Sequence, residues 1–382
     1  MESESDLGRI VGDRYLLLDS IGQGGMADVH LARDQRDGHL VAVKWLARSR
    51  RTETAFHEKM RIEAELLARV EHPNVVKLFD YGIAGDGSPY IVLEALTGET
   101  LHEYIARRGA MPVEQALPLA LQVAEALEAV HRAGLVHGDV KPHNIFLCGP
   151  NDHPTCIKLI DFGFAQLSSA DTPTDDNMVA GTLEYMSPEQ ILSDPIDARA
   201  DIYSFGIVLF RWLTGELPFD SGPMLRLFAH HLESRPPPPS WLLEEIHPGL
   251  EKLILAAMRK DPANRYTSML EVIADLECVI TGIGEVYGAP MQQERDEYWP
   301  RTEQAKRACR ILGRVGVSTR PPPPMAPTPM AEVPVESNPI SAPIASGPIS
   351  ETVSTPDSAP VQSQVRNSEK APVVTAITAA EI

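Results

Sequence analysis

The sequence predicts an α+β chain: a small antiparallel β unit with one helix set into it, a larger mainly helical unit, and a Pro-rich tail. Three observations predict it. Runs of β-type residues gather around Gly-rich turns over residues 14–96. Apolar residues at helical spacing dominate residues 97–282. From residue 283 to 382 the composition changes again, toward Pro, Ser and Ala.

In the first unit, "RYLLLDSIG", "ADVHLARD" and "HLVAVKWL" read as strands of a meander. "TETAFHEKMRIEAELLARV" follows as a helix, with apolar positions at Phe56, Met60, Ile62, Leu66, Leu67 and Val70, stopped by "HPN". "VVKLFDYG" and "PYIVLEAL" complete the strands. In the second unit, "MPVEQALPLALQVAEALEAVHRAG" and "DARADIYSFGIVLFRWLTG" each end at a Gly that accepts a left-handed cap, and "PGLEKLILAAMRKDP" ends before a Pro. A cleft between two such units is the natural ligand site. The stretch "RPPPPMAPTPMAEVPVESNPISAPIASGPISETVSTPDSAP" has too little apolar surface to offset ordering entropy. A disordered, polyproline II-like tail is expected there, either plainly solvated or a docking segment for partners.

Composition narrows the function. A 382-residue chain with 43% hydrophobic and 23% charged residues is globular. Its formal net charge of −19 argues against nucleic-acid binding, which needs a basic face. The N-terminal "MESESDLGRI" is not a signal peptide, and no run of apolar residues is long enough for a membrane span. Cys148, Cys156, Cys278 and Cys309 show no CxxC spacing and read as reduced thiols, so the expected compartment is cytoplasmic.

Chemistry concentrates at four places. In "IGQGGMADV", Gly22, Gly24 and Gly25, with Gln23 between them, let backbone approach phosphate oxygens; alone this is a weak signal. Fifteen residues past Val29, Lys44 interrupts the apolar strand "VAVKWL". An edge strand would also tolerate such a Lys, but on a buried face it needs a partner, a part that Glu63 on the following helix is able to play. In "LVHGDVKPHNIFL", Asp139 suits orienting or deprotonating a hydroxyl, Lys141 suits neutralising a moving phosphoryl group, and Asn144 suits a metal ion. A bland polar turn is the competing reading. It weakens because Asp161 ends the apolar run "IKLID", where a carboxylate needs a cation such as Mg²⁺ on nucleotide phosphates.

Taken together, Gly22-x-Gly24, Lys44, Glu63, Asp139 with Asn144, and "DFG" from Asp161 resemble the protein-kinase signature set. "GTLEYMSPE", "DIYSFG" and "DPANRY" extend the likeness over residues 14–280, and the chain is most similar to bacterial serine/threonine kinases of the eukaryotic-like type. The resemblance implies a bilobal protein-kinase fold and the cofactors ATP and Mg²⁺. Lys44 would hold the α- and β-phosphates and pair with Glu63; Asp161 and Asn144 would hold Mg²⁺; Asp139 would be the catalytic base. Leu93 would be the gatekeeper, with backbone groups of Glu94 and Leu96 on adenine. Ile21, Val29 and Ala42 would roof the base and Phe146 would floor it, though core packing explains these apolar residues equally well. Thr182 would bridge Asp139 and Lys141 beside the acceptor, Glu189 would pair with Arg265, and Asp201 would brace the catalytic loop.

Departures from the pattern matter as well. Ala27 stands for a third Gly, and Ser187 for the Ala of "APE", a swap expected to suit a surface. Gly138 stands where many relatives carry an Arg that grips a phosphorylated activation segment. This implies weaker dependence on phosphorylation of that segment, not lost chemistry. An inactive relative would usually lack the Lys, the base or the metal Asp, and all three are present. "HGD" also occurs in small-molecule phosphotransferases of related fold, but those typically lack a "GTLEYMSPE" platform. Between Asn144 and Asp161, "GPNDHP" reads as a surface turn, with Cys148, His153 and Cys156 as a metal trio the less favoured reading.

Overall fold

The computed structural model describes residues 6–151, 153–162, 166–167, 180–219 and 222–282, all within one compact unit, with the side chains of 166–167 and 180–182 left aside. The expected tail beyond 282 and the phosphorylatable stretch around Thr172 lie outside the described residues.

The N-terminal part holds strands β1 (Ile10–Val11), β2 (Tyr15–Gln23), β3 (Ala27–Asp34), β4 (Leu40–Leu46), β5 (Leu78–Ile83) and β6 (Pro89–Glu94), with helix α1 (Thr54–Leu67) between β4 and β5. They form one antiparallel sheet in the order β1-β2-β3-β4-β6-β5. Strand periodicity of two gives β4 opposite duties on its two faces. Val41, Val43 and Trp45 pack with Val11, Tyr15, Leu17 and Val92 on one side. Leu46 packs with Met60 and Ala64 of α1 on the other, while Ala42 joins the core that runs toward the second lobe. Lys44 shares the face of Ala42 and Leu46, so the sheet itself aims it inward.

Helix α1 stops earlier than its apolar periodicity suggests. It ends at Leu67, and Arg69 and Val70 close tighter turns onto Leu66 and Leu67. Ile62, expected on the buried face, is 40% exposed, and Glu63 takes the buried position beside it. The helix start has no side-chain cap. Instead, His57 Nε2 donates to the Arg51 carbonyl at 2.6 Å. Arg51 in turn lies over the Trp45 ring, 3.5 Å from its centroid, and binds Asp6.

Residues preceding the expected lobe start at 14 are part of this sheet. Gly8 N–H donates to Leu17 O and Leu17 N–H to Arg9 O, both at 2.9 Å. The Asp6 carboxylate accepts from Arg9 (2.7 Å), Arg48 (2.6 Å) and Arg51 (3.0 Å). Burial alone would raise the Asp6 pKa, but these guanidinium groups hold it well below the usual carboxylate range.

The C-terminal part runs through β7 (Gly98–Thr100), α2 (Leu101–Arg108), α3 (Val113–Arg132), β8 (Leu135–Val136), β9 (Ile145–Cys148), β10 (Cys156–Leu159), β11 (Gln166–Leu167), α4 (Pro188–Ile191), α5 (Ala198–Thr214), α6 (Met224–Glu233), α7 (Pro248–Ala257) and α8 (Met269–Thr281). Helix α2 begins at a capping box: Thr100 Oγ1 accepts from Glu103 N–H while the Glu103 carboxylate accepts from Thr100 N–H. Gly134 follows α3 and Gly215 caps α5, both with left-handed φ near 75–78° as their positions in the sequence imply. Nearly every residue of α5 is buried, because α3 and α7 cover it from two sides. Two small sheets, β10-β9-β7 and β11-β8, lie on this helical body and carry the polar loops of the site.

Candidate active site

Lys44 and Glu63 are each 3% exposed and meet in a bidentate contact, Nζ to Oε1 at 2.8 Å and to Oε2 at 2.9 Å. Asp161 Oδ1 lies 3.4 Å from the same Nζ. Burial alone would drive the proton off Lys44, but the charges of Asp161 and Glu63 outweigh it and hold the ammonium above its ordinary pKa. Burial and the Asp161 charge push Glu63 upward, with Lys44 opposing. The Lys44 ammonium therefore faces two carboxylates, the buried Glu63 and the partly exposed Asp161. Asp161 adopts a left-handed φ of 63°, unusual away from Gly, so the contact with Lys44 is held against a backbone preference.

Asp139 leads the second cluster. Lys141 Nζ sits 3.0 Å from its Oδ2. Asn144 Nδ2 donates to Asp139 Oδ2 at 3.0 Å and to its carbonyl at 2.8 Å. With its NH₂ group so engaged, Asn144 has its amide oxygen left to offer a cation. The two clusters are joined through backbone, since Ile160 N–H donates to Asn144 O at 2.9 Å and Asp161 is the next residue. Hard oxygen donors on Asn144 and Asp161 fit Mg²⁺.

The loop carrying Asp139 is fixed from below by Asp201. Its carboxylate accepts from His137 N–H and Gly138 N–H, each at 2.8 Å, and from His131 Nε2 at 2.8 Å. Burial would raise the Asp201 pKa, but these donors keep it lowered. The sequence pointed to Asp201 but not to His131, which lies 70 residues away and carries no local motif. Gly138 has φ 74°, and Gln190 Nε2 donates to its carbonyl at 2.7 Å. A side chain here would have to take a left-handed backbone at a cost of about 1–2 kcal/mol. Gly138 thus removes an Arg and also relieves the loop of strain.

The apolar residues expected around a base are brought together. Ile21, Val29, Ala42, Leu96 and Phe146 are buried in one core cluster, with Leu93 packed against it. The strand register sets Val29 opposite Lys44 and Ala42 opposite Leu93. Gly22 and Gln23 end β2, and Gly24 N–H donates to Ala27 O across the turn that also holds Gly25. Ala27 itself is fully buried opposite Leu46, so a Cβ has packing to do there. The Glu94 side chain is engaged by Lys158 at 2.6 Å and by Lys77 N–H, and its own N–H donates to Lys77 O. Its side chain and N–H are thus already engaged within the protein.

The expectation for Ser187 needs revision. Ser187 is not a surface residue: it is fully buried, and its Oγ and N–H both donate to Gln190 Oε1 at 3.0 Å, locking the start of α4. Cys148, His153 and Cys156 do not form a metal cluster, since no group of three such ligands occurs among the described residues. The side chain of Thr182 lies outside the described residues. The Glu189–Arg265 pair is present, bidentate at 2.6 and 2.8 Å, with Arg265 fully buried.

A β-rich lobe and a helical lobe, with a buried Lys–Glu pair and an Asp–Lys–Asn loop between them, define the protein-kinase class of fold. The Protein kinase domain family matches residues 15–275, and the chain belongs to it. It is 36% identical over 292 residues to a probable serine/threonine-protein kinase of Clostridium perfringens, covering 76% of this chain and 42% of that one. It is 38% identical over 277 residues to the serine/threonine-protein kinase PknB of Mycobacterium tuberculosis, covering 71% and 44%. The chain therefore spans less than half the length of these two relatives. The kinase domain of M. tuberculosis PknI shares the fold, with a TM-score of 0.55 at 24% identity, over 72% of this chain and 98% of that one. Among the described residues no helix is long and apolar enough to cross a membrane.

Proposed function

We propose that this chain transfers the γ-phosphoryl group of Mg·ATP to Ser or Thr hydroxyls of proteins, in the cytoplasm. The observation that carries the reading is the Asp139–Lys141–Asn144 cluster tied by one backbone hydrogen bond to the segment of Asp161 and Lys44. Lys44, held in place by Glu63, binds the α- and β-phosphates. Asn144 and Asp161 hold Mg²⁺, which supplies charge neutralisation on the phosphates when bound. Asp139 orients the acceptor hydroxyl and takes its proton on a carboxylate oxygen. Lys141 offsets negative charge beside it, with Thr182 bridging the two. Ile21, Val29, Ala42, Leu93, Leu96 and Phe146 exclude water around adenine, and Gly22, Gln23, Gly24 and Gly25 present backbone to the phosphates. Catalysis is then mostly positioning and electrostatics.

Radiolabelled ATP with the purified chain tests this. Label is expected on the chain itself and on a generic basic protein, and none on small amines. Label on aminoglycosides or choline instead would overturn the protein-kinase reading. The built-in platform of Ser187 and Glu189 supports protein substrates over small molecules.

Gly138 sets a finer expectation. With no Arg to grip a phosphorylated segment, activity depends weakly on modification there, so replacing Ser168, Ser169, Thr172 and Thr174 together with Ala should leave most turnover intact. Abolished turnover in that variant would refute the point. The segment from 283 onward is proposed as a Pro-rich docking site for protein partners, testable by pull-down with the isolated tail against SH3- or WW-type domains.

A further inference from the structure

Cys148 and Cys156 stand directly opposite each other in the antiparallel pairing of β9 and β10. The type of pairing can be read from neighbouring bonds. Ile157 N–H donates to Gln122 Oε1 and Leu159 N–H to Asn74 O, so both point away from β9. The ladder bonds then fall on residues 156 and 158, which makes 148/156 a hydrogen-bonded pair. Such pairs set Cα atoms about 5.5 Å apart, within the span of a disulfide, but hold the Cβ atoms wider than the bond prefers, so closure requires a local twist of the strands. Both are free, half-buried cysteines, and each thiol lies within electrostatic reach of the other. The residues that follow, Gly149 with φ 110° and the turn to Thr155, form the end of the hairpin, where strands twist most freely.

We propose that Cys148 and Cys156 form a reversible oxidation site that closes into an intramolecular disulfide on reaction with a hydroperoxide. Cys156 attacks the peroxide oxygen, breaking the O–O bond and forming a sulfenic acid while the peroxide leaves as water or an alcohol. Cys148 then attacks the sulfenic sulfur, loses its proton, and expels water as the S–S bond forms. The two thiols are oxidised by two electrons and the peroxide is reduced by two; a dithiol restores the pair by exchange. Burial first, and Cys156 beside it, push the Cys148 thiol up to about 12, which makes Cys148 a poor first nucleophile toward the peroxide.

The position of the pair gives the bond a consequence. Strand β9 leaves Asn144 and β10 delivers Asp161, while Cys148 pairs on its other side with Gly98, two residues past Leu96. A cross-link would twist the strand pair that spaces the two metal-holding residues. This second half rests on the kinase reading; formation of the bond does not.

The test treats the reduced full chain with a modest excess of hydrogen peroxide and then blocks free thiols. The expected result is the loss of two of the four titratable thiols and of two hydrogens in intact mass, with a peptide pair joined through Cys148 and Cys156. Dithiothreitol should reverse it, and Cys148→Ser or Cys156→Ser should each abolish it. Oxidation directed to Cys278 or Cys309, or sulfinic acid at Cys156 without a bridge, would overturn the site. A raised KM for ATP in the bridged form, relieved by dithiothreitol, supports coupling to the nucleotide site. An unchanged KM in a chain proven to be bridged and active overturns that coupling alone.

Discussion

Asp139→Asn is expected to lower phosphoryl transfer by about 10²–10⁴-fold, the range ascribed to a positioned general base, while leaving nucleotide binding close to that of the unaltered chain. The amide keeps the volume of the carboxylate and still accepts from Asn144 Nδ2, so the loop has no reason to collapse. Lys141 loses its counter-charge but remains near the helical body through a loop that Asp201 braces independently. Initial rates at saturating Mg·ATP, beside a fluorescent-nucleotide titration, would check both parts. A rate within a few-fold of the unaltered chain would remove Asp139 from the reaction. Lys44→Met is a less clean comparison. It would leave the buried Glu63 carboxylate beside Asp161 without the ammonium that joins them, so lost activity would be mixed with lost stability.

Arg265→Ala is expected to be the most destabilising single change in the helical lobe, at about 3–5 kcal/mol for breaking a buried ion pair from one side. The guanidinium is fully buried, and besides Glu189 it donates to the carbonyls of Arg199 (2.8 Å), Arg259 (2.6 Å) and Lys260 (3.0 Å). Truncation leaves a buried carboxylate and three carbonyls without their donor. Removing both charges, as Glu189→Leu with Arg265→Met, should cost clearly less, because no lone charge is left behind. Urea unfolding of the three chains would measure this. A single variant no less stable than the double would show that the pair is solvated rather than dry.

Much of this arrangement is written locally in the sequence. Period-two patterning in "VAVKWL" places Lys44 on the face of Ala42 and Leu46, and Gly134 and Gly215 mark the ends of α3 and α5. The site residues were legible because each sits in a short motif whose chemistry is unusual for its setting: a Lys among valines, an Asp ending an apolar strand. What was not legible depends on pairing between distant segments. His131 meets Asp201 across 70 positions, and neither helix pattern records it. Ile62 looked like core by spacing, yet Glu63 holds the inward position because Lys44 offers it a partner. Ser187 looked tolerable at a surface, although "SPEQ" carries a capping signature that, read by itself, would have fixed its side chain. Gly138 was read for the side chain it lacks, while its left-handed backbone emerges only from the way Asp201 and Gln190 grip it.

The knot of arginines around Asp6 changes what counts as the front edge of the catalytic unit. Shortening the chain to its first long strand would look harmless on motif grounds, yet it would leave Arg48 and Arg51 repelling each other beside Trp45. Because the Arg51 carbonyl steadies the uncapped end of the helix bearing Glu63, slack introduced ahead of β1 would travel to Lys44. Whatever is fused, bound or cut ahead of residue 6 thus has a mechanical line to the Lys44–Glu63 pair, through one carboxylate and one backbone oxygen.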